Sequence, residues 1–148
     1  MKRYVCGFMF NDVSDGSLYE RVALIHKQRP EWQKGRLNGI GGHIRDGESP
    51  HQAMRREFLE EAGYDQEKWN YFLTLKGKDY EVEFFHCNGP LDKLRSATDE
   101  KVEIVHLRDI NIDNFQIIPN LLWIIFLALD NKRGLTGCGV KHTLASEI

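Results

Sequence analysis

The chain is 148 residues long, and at roughly 100 to 200 residues per domain this predicts a single domain over residues 1–148 with one core. Hydrophobic residues make up 41% and charged residues 28%, which excludes a disordered, collagen-like or disulfide-stapled chain and leaves any metal to serve chemistry rather than folding. Lys and Arg total 20 against 22 Asp and Glu, a net charge of −2, so the basic excess that duplex nucleic acid requires is missing.

Cys6, Cys87 and Cys138 are odd in number and widely spaced. They suggest neither a disulfide framework nor a CxxC metal site, and they suit a reducing, cytoplasmic setting. The start of the chain reaches Asn11 and Asp12 before any long apolar run, so it does not read as a signal peptide. The most apolar run, Leu121 to Leu129, falls well short of the ~20 residues that cross a bilayer, so no membrane partner is expected.

In chain order, Tyr4–Phe10 and Arg21–His26 are predicted strands, separated by the turn formers Asn11 to Gly16. From Arg29 to Glu48 the chain is polar and carries Gly35, Gly39, Gly41, Gly42 and Gly47. So many glycines imply a loop whose backbone makes approaches that side chains would obstruct. Ser49–Gly63 is the clearest helix: Ser49 caps it, Pro50 suits its first position, Gln52 completes a capping box and Gly63 stops it. Met54, Phe58 and Ala62 form its apolar stripe. Trp69–Leu75 and Tyr80–Cys87 read as strands joined by a turn at Lys76 to Asp79, with a further strand at Val102–Leu107. Pro119–Leu129 reads as a second, largely buried helix, although so short an apolar run also fits a strand. Gly134 to Ile148 carries no signal. Strands on both sides of one helix, with a second helix late in the chain, predict an α/β fold with a mixed β-sheet covered by helices.

Glu57, Glu60 and Glu61 stand at i, i+3 and i+4, so their carboxylates share one side of the first helix. Ordinary surface composition would make them a solvated acidic face. Two features point to chemistry instead. Arg56 adjoins the cluster, and the glycine-rich loop arrives at the helix N-terminus, where backbone donors favour phosphate. Dense, hard carboxylate oxygens suit Mg2+ or Mn2+. The six histidines show no metal-ligand spacing, His51 is expected to face solvent, and Cys87 reads as a small strand hydrophobe.

Read together, loop and helix give Gly42, five residues, Glu48, seven residues, Arg56-Glu57-Phe58, one residue, Glu60-Glu61, one residue, Gly63-Tyr64. This 23-residue pattern resembles the signature of the Nudix hydrolase family at every fixed position. The resemblance implies an α/β/α sandwich and the Mg2+-dependent hydrolysis of a nucleoside diphosphate linked to another group, by water attacking phosphorus. It implies that Glu57, Glu60 and Glu61 bind or orient the metal, with the Gly42 carbonyl as a further ligand. Arg56 would hold Glu57, the favoured general base, and Glu48 would add charge behind them. Some members recruit a downstream acid, for which Glu100 is the candidate; it reads equally well as a solvated charge.

The stretch from Lys34 to Gly42 resembles the MutT-like branch, which converts oxidised purine nucleoside triphosphates to monophosphates. By that resemblance Asn38 contacts the base, Asn120 reads it from the start of the last helix, and Gly41 borders the substrate. On propensity alone Asn38 is a turn former and Asn120 a helix cap. Ile117 departs from the branch, since one member has a stacking tryptophan at that position. Tyr80, 16 residues beyond Tyr64, is a marker shared with diadenosine polyphosphate hydrolases and is also ordinary strand packing. The proline associated with ADP-ribose hydrolases is missing from the same window. The partner implied is a small-molecule nucleotide, with a homodimer as in many members; the competing reading is a nucleotide-binding regulator without catalysis.

Overall fold

The computed structural model describes residues 1–12, 19–111, 117–134 and 140–143. Cys138 and most of the predicted turn after Asp12 lie outside them. The elements are β1 (Lys2–Asn11), β2 (Arg21–His26), β3 (Leu37–Asn38), β4 (Ile40–His43), α1 (Pro50–Ala62), β5 (Asn70–Lys76), β6 (Tyr80–Gly89), β7 (Val102–His106), α2 (Leu121–Lys132) and β8 (Val140–Thr143).

The strands form one mixed sheet in the order β3-β2-β1-β6-β5-β8, with β4 also paired to β1 and β7 to β2. The β1–β6 and β5–β8 pairs are parallel and the others antiparallel. Successive residues of a strand face opposite ways, and β1 shows the consequence. Cys6, Phe8 and Phe10 pack under α2, whereas Val5 and Met9 pack under α1. The apolar interior is therefore two layers rather than the single core expected, because a sheet covered on both faces divides it. Phe58 of α1 meets Trp69 edge to face at 5.0 Å, and burying a side chain of that size contributes about 1.5–3 kcal/mol.

The capping box of α1 forms as its sequence predicts. The Ser49 hydroxyl accepts from Gln52 N–H at 3.1 Å, the Gln52 amide accepts from Ser49 N–H at 2.8 Å, and Gly63 ends the helix at φ 69°. Helix α2 runs past the expected stop at Leu129, because its polar last turn has partners: Asn131 Oδ1 lies 2.7 Å from His86 Nε2, and Lys132 reaches Glu20 at 3.1 Å. Asn11 belongs to β1 rather than to a turn. It is buried, and its Oδ1 accepts from Arg21 N–H at 2.7 Å.

The glycine-rich stretch is not all loop. Ile40–His43 pairs with Gly7–Tyr4, and Leu37–Asn38 pairs with His26–Ile25. Neither segment has strand propensity; the open edges of β1 and β2 supply the pairing. The edge of β1 is thus shared, β4 taking Tyr4 to Gly7 and β2 taking Phe10. The chain steps from one partner to the other at Gly39, so Asn38, Gly41 and Gly42 stand where the sheet forks.

Candidate active site

Arg56 organises the acidic end of α1. Its Nε and Nη2 donate to the two Glu48 oxygens at 2.7 and 2.8 Å, its Nη1 donates to Glu57 Oε1 at 2.8 Å and Glu60 Oε2 at 3.4 Å, and Nη2 also donates to the His43 carbonyl at 3.0 Å. The paired contact with Arg56 pulls the Glu48 carboxyl down to about 2. Glu48 thus takes both hydrogens of one guanidinium edge, which fixes the arginine. Glu60 is half exposed and also lies 3.6 Å from Arg45.

Gly42 of β4 faces the Glu57 carboxylate. A methyl group there would stand 2.5 Å from the Glu57 carboxylate carbon, so any side chain at this position would push the acid out of its place. Glu61 lies one turn on, accepting from Thr98 Oγ1 at 3.0 Å. Burial raises its carboxyl above the ordinary range, and the fields of Glu100 and Glu57 add to that rise.

The segment from Arg95 to Lys101 folds against the C-terminal end of α1, with Arg95 N–H donating to the Ala62 carbonyl and Ala97 N–H to that of Glu61. This brings Glu100 into the site and overturns its reading as a solvated charge: it is 3% exposed. Its Oε1 accepts from Lys27 Nζ at 3.0 Å, and its Oε2 from the backbone N–H groups of Gln28 at 2.6 Å and Arg29 at 3.3 Å. A carboxylate so furnished is burial-tolerant because each oxygen has a donor.

Among the described residues, no three acidic, histidine or cysteine side chains enclose a common point closely enough to hold an ion as they stand. Glu57 and Glu60 turn to Arg56 instead. The donor set nevertheless suits a hard divalent cation, being entirely oxygen, and a cation would favour the charged form of Glu61, which burial first, and the fields of Glu100 and Glu57 after it, disfavour.

Beside these acids lies a cavity of about 730 Å3, within the ~300–1,000 Å3 range of small-molecule sites. Asn38, Gly41, Gly42, Tyr80 and Asn120 all line it, although they come from four separate segments. Asn120 sits at the N-cap position of α2 but makes no capping hydrogen bond, so the cap reading fails for its side chain. Tyr80 is packed against Gly77, whose missing side chain makes room for the ring. Lys27, Trp32, Gln33 and Cys6 line the same cavity, and no motif in the sequence marks them. Trp32 is about half exposed there, and an exposed tryptophan in a polar loop is the signal that points to it. Cys6 carries no charge, since burial pushes its thiol up to about 12.

His51 is exposed and meets Phe85 edge to face at 4.8 Å, and Cys87 is buried in the α1 layer. No helix among the described residues is long and apolar enough to cross a membrane.

Comparison with known proteins gives a match to the NUDIX domain over residues 3–119. Among solved structures, the NUDIX domain of Shewanella oneidensis NrtR complexed with ADP ribose superposes with a TM-score of 0.73 at 14% identity, over 88% of this chain and 87% of that one. A MutT from the pair Aliivibrio salmonicida and Vibrio cholerae gives 0.66 at 21% identity, over 86% and 96%. The Bacillus halodurans MutT gives 0.64 at 16%, over 99% and 94%. At these identities the likeness is one of fold. No curated protein matches the chain by sequence.

Proposed function

The chain belongs to the NUDIX family, and on that premise we propose that it is a Mg2+-dependent pyrophosphohydrolase cleaving a purine nucleoside triphosphate, oxidised purines included, to monophosphate and pyrophosphate. The observation that carries this reading is the double position of Gly42, which lines the cavity and also faces the Glu57 carboxylate closely enough that a side chain there would meet it. A nucleotide whose base occupies the cavity therefore has its phosphates beside the acids of α1. Of the three side-chain amides in the cavity, Asn38 and Asn120 favour a base-reading role in the manner of the MutT-like branch.

Glu57, Glu60, Glu61, Glu100 and the Gly42 carbonyl would hold the cation, with Mn2+ as an alternative. When bound, it offsets phosphate charge and lowers the pKa of water at the site. Glu57 is the general base. Arg56 engages only its Oε1, which leaves Oε2 to take the proton of the attacking water as the new O–P bond forms and the anhydride oxygen departs with pyrophosphate. Arg56 itself is kept from swinging toward the phosphates by its paired bond to Glu48. Lys27, held against Glu100, places positive charge at the cavity wall where the phosphate chain passes.

A second reading is a dinucleoside polyphosphate hydrolase, favoured by the aromatic rings in the cavity, Tyr80 and Trp32 among them. Chromatographic product analysis with Mg2+ over 8-oxo-dGTP, dGTP, diadenosine tetraphosphate and ADP-ribose separates these readings. Selective formation of a monophosphate and pyrophosphate supports the triphosphate reading. Preference for the dinucleotide promotes Tyr80, preference for ADP-ribose (the ligand named for the NrtR domain) overturns both, and binding without turnover makes the protein a regulator.

A further inference from the structure

We propose that Glu100 is a positioning residue for nucleotide binding: it holds the loop between β2 and β3 against the cavity, with or without a cation present. This deepens the reading above, and its part on affinity rests on a nucleotide occupying the cavity.

The loop closes at its base, where Lys27 N–H donates to the Arg36 carbonyl at 2.9 Å and Gly35 N–H to that of Lys27 at 2.8 Å. Its tip carries Pro30, Trp32 and Gln33, which line the cavity together with Lys27. Within the tip, Gln33 N–H donates to the Pro30 carbonyl at 2.9 Å and Lys34 N–H to that of Glu31 at 3.2 Å. These bonds shape the turn without tying it to the sheet. The tie is Glu100. The register that pairs Ile25 with Val102 sets Lys27 opposite Glu100 two places on, and His26 N–H continues the ladder by donating to the Lys101 carbonyl at 2.8 Å. From there the carboxylate takes Lys27 Nζ on Oε1 and the N–H groups of Gln28 and Arg29 on Oε2.

The carboxylate is 3% exposed, so these bonds are shielded from water, and charge assistance makes each roughly twice as strong as a neutral one. The loop's other ties are weaker. Asn38 Nδ2 to Gln33 Oε1, at 3.1 Å, is one bond between neutral amides, and the Arg29–Asp99 ion pair is exposed. Glu100 is itself fixed from behind, its N–H donating to Thr98 Oγ1 at 3.1 Å, the hydroxyl that also donates to Glu61. Gln28 and Arg29 are exposed residues, so without the carboxylate their N–H groups turn to water and the tip is free to leave the cavity. A residue that only binds metal acts only when metal is bound, whereas a loop anchor acts without it.

The test joins amide hydrogen exchange by NMR with calorimetric binding of guanosine and adenosine monophosphates in EDTA, on the wild type, Glu100→Ala and Glu100→Gln, each checked for folding by circular dichroism. In Glu100→Ala the Gln28 and Arg29 amides should exchange at least about 10-fold faster while those of α1 keep their rates, and metal-free affinity should fall about 10-fold. Glu100→Gln keeps an oxygen for the two N–H groups, so both quantities should return to within about threefold of the wild type. Glu100→Met, similar in length but without an acceptor, carries the test if the alanine variant does not fold. Unchanged exchange at Gln28 and Arg29, or an acceleration that extends equally to α1, overturns the anchor. Faster exchange with unchanged metal-free affinity overturns the positioning role. A wild type that binds neither nucleotide overturns the proposed function and the effect on affinity with it, while the exchange rates still decide whether Glu100 holds the loop.

Discussion

Around Glu57 nearly every polar atom is committed to a neighbour drawn from one short stretch of chain, Gly42 to Glu61, with Arg56 joined to Glu48, Glu57, Glu60 and the His43 carbonyl. The cavity beside it is built differently. Its polar side chains come from β3, from the segment before β3, from β6 and from the entry to α2, and Asn120 has no capping role. The first region is a set of charges joined through one arginine; the second is a wall assembled from distant segments, in which Asn38 is joined to Gln33 and Cys6 while Asn120 stands at the entry to another helix. Changes in the first should therefore be severe and concern turnover, and changes in the second should be graded and concern affinity.

Chelation of divalent metal gives the widest separation: turnover should vanish while the melting temperature, followed by circular dichroism, stays within about 2 °C, because the two apolar layers suffice for folding. A large fall in melting temperature would mean that the acids of α1 need the cation to fold. Glu57→Gln should lower kcat by at least about 100-fold with the fold retained, as expected for a lost general base. Gly42→Ala sharpens the contrast, since its methyl group would collide with the Glu57 carboxylate without touching the base-reading amides. A roughly 10- to 100-fold loss in kcat with KM nearly unchanged is expected in steady-state assays. Asn120→Ala should raise KM about fivefold for the preferred purine, the worth of one hydrogen bond of about 1 kcal/mol, and leave kcat alone.

The smallest effect lies outside both regions. His86 is buried against Asn131, and burial lowers its pKa below the ordinary value of about 6.5. The folded state then resists protonation, so the unfolded state takes up the proton first. Stability from this group is full above pH 6.5 and is lost as pH falls below it, levelling off beneath the folded pKa. Melting curves at pH 7.5 and 5.5 should show a fall that is smaller by a degree or two in His86→Gln.

The same contrast explains what could be read from the sequence. Helix α1 was legible to its caps, because Ser49, Gln52 and Gly63 act on backbone atoms a few residues away. The Arg56 and Glu57 pairing is equally local. Strand β4 was not, since Ile40–His43 has no strand signal and pairs only because β1 leaves an edge open. Glu100 illustrates the limit for the site: in sequence it is one charge among Thr98 to Lys101, and only the return of that segment to α1 buries it against Lys27. Trp32 and Gln33 carry no local signal for the same reason, as their neighbours in the cavity are contributed by β1, β6 and the entry to α2.

The central claim is that the acids of α1 perform chemistry on a nucleotide that the cavity binds by itself. Equilibrium binding of the preferred nucleotide to Glu57→Gln, measured by calorimetry beside its turnover, tests this most directly. Affinity should stay within about threefold of the wild type while turnover falls at least about 100-fold. Loss of binding in step with turnover would contradict it and make Glu57 part of the binding wall.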